Sequence, residues 1–264
     1  PSISGNAHLQ LGRTANRGSW IDSGVADVVI ANECVTYQNL VINTGNGRGT
    51  GAFDYDVGRK EVRLKDIVST LVPVDVLMWI DPRIAETIRP YRFRSAPQVK
   101  VQGKVHMKDP LKNDLKINIS APGGMSYELL GKTLPFGNTN AKVDVIANKV
   151  VANIKDAELF GGEVGVKAIV SLDPTNRVFS TNATLSRVNF AKLTNLYFDY
   201  DDSKGVISGE YGFEARMGDE ENMVGRGNLR IEDGNVFAIP VFGPFSAILG
   251  SIIPGVVYNT ARLA

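Results

Sequence analysis

Alternation of apolar and polar residues constrains the fold of this chain more than any other feature of its sequence. In residues 98–107, Val99, Val101 and Val105 share one face, whereas lysine, glutamine and histidine share the other. Side chains of a strand point alternately to opposite faces, so each such segment predicts a strand with one apolar and one solvated face. Similar segments cover 23–32, 35–43, 52–57, 60–67, 115–119, 141–147, 149–155, 162–172, 177–186, 207–217, 223–231 and 235–239.

Short helices interrupt the strands. We predict helices at 73–80 and 81–88, where Pro82 follows an Asp81 N-cap, and at 189–197. The predicted fold is therefore mainly β: an elongated, curled antiparallel sheet with an open, β-taco-like groove and a few short helices. We treat residues 1–264 as a single elongated domain with a weak internal boundary near 89–97. The residues alone also permit a closed sandwich, in which two apolar faces cover each other.

Composition removes several classes of function. The formal net charge is only +1, and no basic stripe is interleaved with aromatic residues, so we expect no nucleic-acid partner. Cys34 is the only cysteine, which excludes an intrachain disulfide and a thiolate metal cluster. No signal peptide is visible at the N-terminus.

Three motifs suggest ligands, but each has a simpler interpretation. Gly131-Lys-Thr133 lacks the upstream glycine spacing and the following helix of a phosphate loop. The glycine-rich residues 45–51 connect two predicted strands, so no helix N-terminus receives a pyrophosphate. Residues 199–210 resemble a calcium loop, but Lys204 replaces its required glycine, and a hairpin turn is favoured.

Catalytic machinery is not indicated either. His8 and His106 are the only histidines, and no Gly-x-Ser-x-Gly elbow is present. We therefore predict that the chain is not an enzyme, with no catalytic residues, no cofactor and no metal site.

A charge-free apolar run extends from Gly234 to Ala261. Its length alone is that of a transmembrane helix, about 20 residues. However, Pro240, Pro244 and Pro254 interrupt it, and an interior proline costs a helix about 3 kcal/mol. We predict short apolar helices that form a cap at one end of the groove. The cap residues are Phe242, Phe245, Ile248, Leu249, Ile252 and Ile253.

The residues that lead into this run carry a family resemblance. Gly225-x-Gly227, then Leu229-x-Ile231-x-Asp233-Gly234-x-Val236-Phe237-x-Ile239-Pro240-Val241-Phe242-Gly243-x-Phe245-Ser246, resembles the C-terminal region of the AsmA-like family. That family is related to TamB and to the bridge-like lipid-transfer proteins. Asn195-Leu196-Tyr197 and Gly205-Val206-Ile207-Ser208-Gly209 look similar to its upstream pattern. In residues 1–180 the likeness is limited to general features, namely long strands, turns that begin with Asp, and crossover helices.

The resemblance implies a segment of a longer Gram-negative envelope protein. Such a protein lies in the periplasm and is anchored in the inner membrane, and its implied role is phospholipid transport and outer-membrane homeostasis. Its implied partner is a phospholipid or another acyl-chain ligand, with membrane contact in the full-length protein.

We predict that one apolar face lines the groove and binds the acyl chain. The candidate groove residues are Val99, Val101, Val105, Leu115, Ile117, Ile119, Val164, Val166, Ile207, Tyr211 and Phe213. The alternative is a structural or interaction module that regulates outer-membrane assembly without carrying lipid. In that case the core is closed and the apolar cap docks a partner.

Overall fold

A computed structural model of the protein describes residues 4–234 except 46, 81, 130, 172, 174–177 and 217–218. The strands are β1 (Gly5–Leu11), β2 (Thr14–Asn16), β3 (Ser19–Ile21), β4 (Ser23–Ala31), β5 (Cys34–Thr44), β6 (Gly47–Asp56), β7 (Glu61–Ser69), β8 (Tyr91–Phe93), β9 (Gln98–His106), β10 (Asp114–Ala121), β11 (Met125–Leu129), β12 (Lys132–Phe136), β13 (Thr139–Ile146), β14 (Lys149–Leu159), β15 (Gly162–Ser171), β16 (Val178–Asn189), β17 (Val206–Arg216) and β18 (Asp219–Glu232). The helices are α1 (Pro73–Ile80), α2 (Pro82–Ile88) and α3 (Phe190–Phe198), with a short 3-10 helix at Pro110–Lys112.

One large antiparallel sheet dominates the molecule. Thirteen strands follow one another in the order β1-β4-β5-β6-β7-β9-β10-β13-β14-β15-β16-β17-β18. The strands β8, β11 and β12 form a side branch, and β2 pairs only with β3. Because β1 and β18 lie at opposite edges, the sheet does not close. The structure thus confirms the predicted fold class, a mainly β, open, curled sheet with a few short helices.

Four bulges, each of one extra residue, interrupt the pairing of the main sheet, and β17 and β18 show a further register shift between Glu214 and Arg216. In β5, β7, β14 and β16, two residues oppose one residue of a neighbouring strand. The second residue of each pair is Asn39, Asp66, Asp156 or Arg187, with φ of 50°, 47°, 53° and 53°. A bulge bends its strand. All four extra residues lie on the polar face and lengthen it, so we expect the sheet to bend toward its apolar face.

The two long edges of the sheet differ. One edge consists of short turns at 32–33, 57–60, 107–113 and 147–148, together with the strand ends beside them, and we call it the turn rim. The other edge carries β2, β3, β11, β12 and the three helices, and we call it the helix rim. Because the strands alternate in direction, successive connections alternate between the two rims. The connections that contain α-helices or additional strands all fall on the helix rim.

The hydrophobic core lies beside the helix rim. It consists of the buried residues Leu134, Leu159, Val164, Val188, Phe190 and Ile207. Helix α3 starts at the Asn189 N-cap, whose side chain accepts a hydrogen bond from the Lys192 N–H. Phe190 of this helix belongs to the core, and Leu193, Leu196 and Tyr197 pack against it. The core therefore anchors one end of each nearby strand and leaves the other end to the turn rim.

Helix α1 agrees with its predicted range, α2 begins at Pro82 instead of 81, and α3 is shifted by one residue. The sequence did not predict β1, the β2–β3 hairpin or the β8–β11–β12 branch. Residues 89–97, the suggested boundary, contain β8, and the main sheet passes across them because β7 pairs directly with β9.

Candidate functional site

The eleven predicted groove residues lie on the same face of the sheet. Residues paired across antiparallel strands point to the same side, so the register fixes the faces. One row runs from strand to strand without interruption through Ile67, Val101, Ile117, Val143, Ala152, Ala168, Thr181, Phe213 and Gly225. Val99 with Ile119, Val164 with Leu185 and Ala183 with Tyr211 belong to parallel rows of the same face.

The same face continues through strands that were not assigned to the groove. Its members in β1 to β7 include Leu9, Val28, Tyr37, Phe53 and Leu64. They share the alternating pattern that identified the other eleven, and that pattern was sufficient to find them. The apolar face thus spans all thirteen strands, about 58 Å at the usual strand spacing.

No charged residue lies on this face among the paired positions that the structure describes. Its side-chain polar atoms are hydroxyls, contributed by Thr44, Ser69, Thr139, Thr181, Tyr37, Tyr55 and Tyr211. Partial burial raises the pKa of Tyr211 above its ordinary value, so its phenol stays neutral. A surface of this chemistry accommodates hydrocarbon and offers no ionic partner to a headgroup.

In the central strands β10 and β14, the apolar face is covered most near the helix rim. In β14, Ala157 and Leu159 are buried, whereas Val150, Ala152 and Ile154 on the same face are half-buried. Strand β10 shows the same gradient, from half-buried Leu115, Ile117 and Ile119 to buried Ala121. In these two strands the cover of the apolar face therefore decreases from the helix rim to the turn rim, whereas Ala215, at the turn-rim end of β17, is buried.

Aromatic side chains lie at two places on this face. Tyr37 and Phe53 stack with ring centroids 4.3 Å apart. Phe179 and Phe213 meet edge to face at 5.9 Å. Such pairs add about 0.5–1.5 kcal/mol beyond the area they bury. They fix rigid, flat apolar surfaces on both halves of the sheet.

The opposite face is polar and carries excess positive charge in the middle of the sheet. Lys100, Lys142 and Lys167 alternate with Asn118, Asn153 and Asn182 along one cross-strand row. Solvated residues of this kind keep the polar face in contact with water. The charge difference between the two faces fixes which of them can meet an apolar ligand.

The three suggestive motifs occupy structural positions. Gly131-Lys-Thr133 lies in the β11–β12 hairpin, and residues 45 and 47–51 lie in the β5–β6 hairpin. Asp199 ends α3 in the left-handed conformation, and its N–H donates to the Asn195 carbonyl at 2.9 Å. His106 braces the turn at 107–113. Within the described part of the chain, no group of three or more His, Cys, Asp or Glu side chains could hold a metal ion.

The predicted cap, Phe242, Phe245, Ile248, Leu249, Ile252 and Ile253, lies outside the described residues, as does the predicted strand 235–239. Of the family signature, the structure describes Gly225–Gly234, which form the end of β18 and the turn after it. Strand β18 ends at the helix rim, because Glu232 pairs with Val206 at the start of β17.

Comparison with protein-family models, with curated proteins and with solved structures found no match. Among the helices that the structure describes, none combines the length and the apolar character needed to cross a bilayer.

Proposed function

We propose that this chain is a non-enzymatic lipid-binding, lipid-conducting segment of a Gram-negative envelope protein. Its proposed role is phospholipid transport and outer-membrane homeostasis in the periplasm, within a longer protein anchored in the inner membrane. The envelope location and the transport role rest on the resemblance of residues 225–246 to the AsmA-like family. The lipid-binding role rests on one observation: an apolar face without charged residues at its described paired positions crosses thirteen strands, and in β10 and β14 it is less covered toward the turn rim.

The physical argument is that such a face needs a cover. A contiguous apolar surface of this extent is unfavourable in water and marks a ligand-binding or interaction site. An acyl chain supplies a cover, at about 0.8 kcal/mol for each buried CH₂ group. Because the face has no charged partner for a headgroup, the proposal places the chain in the groove and the headgroup in solvent.

The alternative, an interaction module that carries no lipid, predicts a closed core without a continuous groove. The open sheet favours the lipid-binding proposal over this alternative.

Two neighbouring residues of β10 provide a matched test. Ile117 is half-buried on the apolar face between Val101 and Val143, whereas Asn118 is exposed on the polar face. We expect Ile117→Glu to lower the amount of lipid that co-purifies by at least about tenfold, because an acyl chain would have to desolvate the new carboxylate. Asn118→Glu adds the same charge one residue away and should leave the lipid content unchanged.

Lipid extraction followed by mass spectrometry measures the bound lipid, and native mass spectrometry gives its stoichiometry. Delipidated protein is then titrated with a fluorescent fatty acid, which measures affinity independently of expression conditions. Absence of lipid from the purified protein together with no fatty-acid binding would exclude the proposal. An equal loss of bound lipid in Ile117→Glu and Asn118→Glu would show that the apolar face is not the binding surface.

A further inference from the structure

Strand β1 forms one edge of the main sheet. All seven of its residues, Gly5–Leu11, pair with β4 without a register shift. On its other side no strand that the structure describes pairs with β1, and every residue of β1 is exposed. An open strand edge presents backbone N–H and C=O groups at the spacing of a β-ladder, so the partner that it fits is another extended backbone.

The sequence of β1 does not protect this edge. Proteins usually prevent edge strands from pairing by means of charged residues, proline or a bulge. The seven residues GNAHLQL include no aspartate, glutamate, lysine, arginine or proline, and none of them has a positive φ. The other edge strand, β18, differs, because its last seven residues include Arg226, Arg230 and Glu232. Of the two edges, β1 is therefore the one suited to pairing.

Sheet geometry selects a second copy of this chain, paired β1 to β1, as the partner. Neighbouring strands of the main sheet are antiparallel, so β1 and β18, the first and thirteenth strands of the path, run in the same direction. If β1 paired with β18 of another copy and kept the apolar faces on one side, the contact would be parallel and would add copies without end. A two-fold axis perpendicular to the sheet instead pairs β1 with β1 in the antiparallel direction. It keeps both apolar faces on the same side and closes the assembly as a dimer.

The side chains of β1 complement one another in this arrangement. Ala7, Leu9 and Leu11 lie on the apolar face, where they pair with residues of β4. Full overlap of the two β1 strands sets each leucine opposite a small residue and each polar residue opposite a polar one. The opposed residues are His8 with His8, Asn6 with Gln10, Ala7 with Leu9 and Gly5 with Leu11. Opposed residues differ by an even number of positions, so those that direct N–H and C=O outward in one copy face their equivalents in the other.

We propose that the chain forms a two-fold symmetric dimer through β1, in which the two main sheets join into one. The apolar faces of the two copies then form a single surface, and Leu9 and Leu11, which are 47% and 42% exposed in the single chain, gain neighbours across the axis. This pairing goes beyond the proposed function. Where that function holds, the dimer joins two lipid grooves into one.

Sedimentation velocity of delipidated protein, over a wide range of concentrations, measures the dissociation constant of the dimer. We expect a dimer and no larger assembly. Leu9→Lys should raise the dissociation constant by at least about tenfold, because it places two ammonium groups on the apolar face as diagonal neighbours about 7–8 Å apart. The matched control is Leu229→Lys on the apolar face of β18, where Leu229 is 45% exposed. It should leave the dissociation constant unchanged.

Cysteine cross-linking, in a Cys34→Ser background, tests the register of the two strands. Directly opposed Cβ atoms lie about 5 Å apart, so His8→Cys should cross-link with a short bifunctional thiol reagent. Two Gln10→Cys copies would be offset by four positions, about 14 Å, and should not cross-link. A mixture of Gln10→Cys and Asn6→Cys proteins should cross-link, because these positions oppose each other in the proposed dimer.

A chain that stays monomeric at every concentration would overturn the proposal and leave the β1 edge to a different strand. Growth into larger assemblies, an equal effect of Leu9→Lys and Leu229→Lys, or equal cross-linking of His8→Cys and Gln10→Cys would overturn it as well. Co-purified lipid and fatty-acid binding are measured on the same proteins. If a monomer retains lipid, the dimer proposal fails alone. If the dimer persists while every preparation lacks lipid and binds no fatty acid, the groove proposal fails alone.

Discussion

Replacing one leucine at each end of the apolar face measures how far that face is covered. Leu159 of β14 lies near the helix rim, is 3% exposed and belongs to the hydrophobic core. Leu115 of β10 lies on the same face near the turn rim and is half-buried. Both changes, Leu159→Ala and Leu115→Ala, remove the same three carbon atoms, so a difference between them reports the surroundings.

The expected costs follow from the packing. A fully buried leucine leaves a cavity when truncated, and such changes cost about 2.7–5 kcal/mol. Leu159 contacts a packed cluster on one side and sheet neighbours on the other, so we expect about 3–4 kcal/mol. Complete burial of a leucine side chain stabilises a protein by about 1.5–3 kcal/mol. Truncating half-buried Leu115 should therefore lower the free energy of unfolding of the lipid-free protein by about 1 kcal/mol.

Urea unfolding of delipidated protein, followed by circular dichroism, gives both free energies of unfolding. The titration is repeated with saturating fatty acid. A bound chain covers Leu115, so its truncation should then cost about 2 kcal/mol or more, whereas the cost at Leu159 should not change. Equal costs in the lipid-free protein would refute an open groove, because Leu115 would then have a cover that belongs to the chain itself.

Two further predictions concern the bulges and the edge strand. Arg187 has φ +53°, a left-handed conformation that costs a residue with a side chain about 1–2 kcal/mol. Arg187→Gly should therefore raise the free energy of unfolding in urea by about 0.5–1 kcal/mol, whereas Arg187→Ala should not. Hydrogen bonds from Asn39 and from His8 lower the pKa of Asp27 below its ordinary value of 3.8. Because the pKa of Asp27 is depressed in the folded state, its contribution to stability is complete above about pH 4 and is lost as the pH falls through the folded pKa. Hydrogen exchange in β1 should therefore accelerate on acidification. Asp27→Asn should abolish that pH dependence.

Much of the fold was predictable because the strand period is fixed by backbone geometry. Val101 and Ile117 were assigned to one face from alternation alone, and the register pairs them directly. Proline positions located α1 and α2, since proline starts a helix well and continues it poorly. Strand β1, by contrast, was not predicted, although Ala7, Leu9 and Leu11 alternate there with polar residues.

Strand pairing was not predictable in the same way. The β8–β11–β12 branch depends on three- and five-residue strands, and one of them contains Pro135. Such short segments have too few residues to establish a period, and their pairing is decided by tertiary contacts. That the helices would all lie on one rim also required the strand order, which fixes where each connection crosses.

The bulges join the sequence pattern to the shape of the candidate site. Alternation breaks once in each bulged strand, where two polar residues separate two apolar ones: Gln-Asn at 38–39, Lys-Asp at 65–66 and 155–156, and Ser-Arg at 186–187. Taken as simple interruptions of the alternating pattern, these breaks weaken the prediction of a strand. As bulges, they keep the apolar residues on one face and add length only to the polar face. The same four insertions that disturb the pattern therefore bend the sheet around its apolar side, so the concavity proposed to hold lipid is encoded in the positions where the alternation fails.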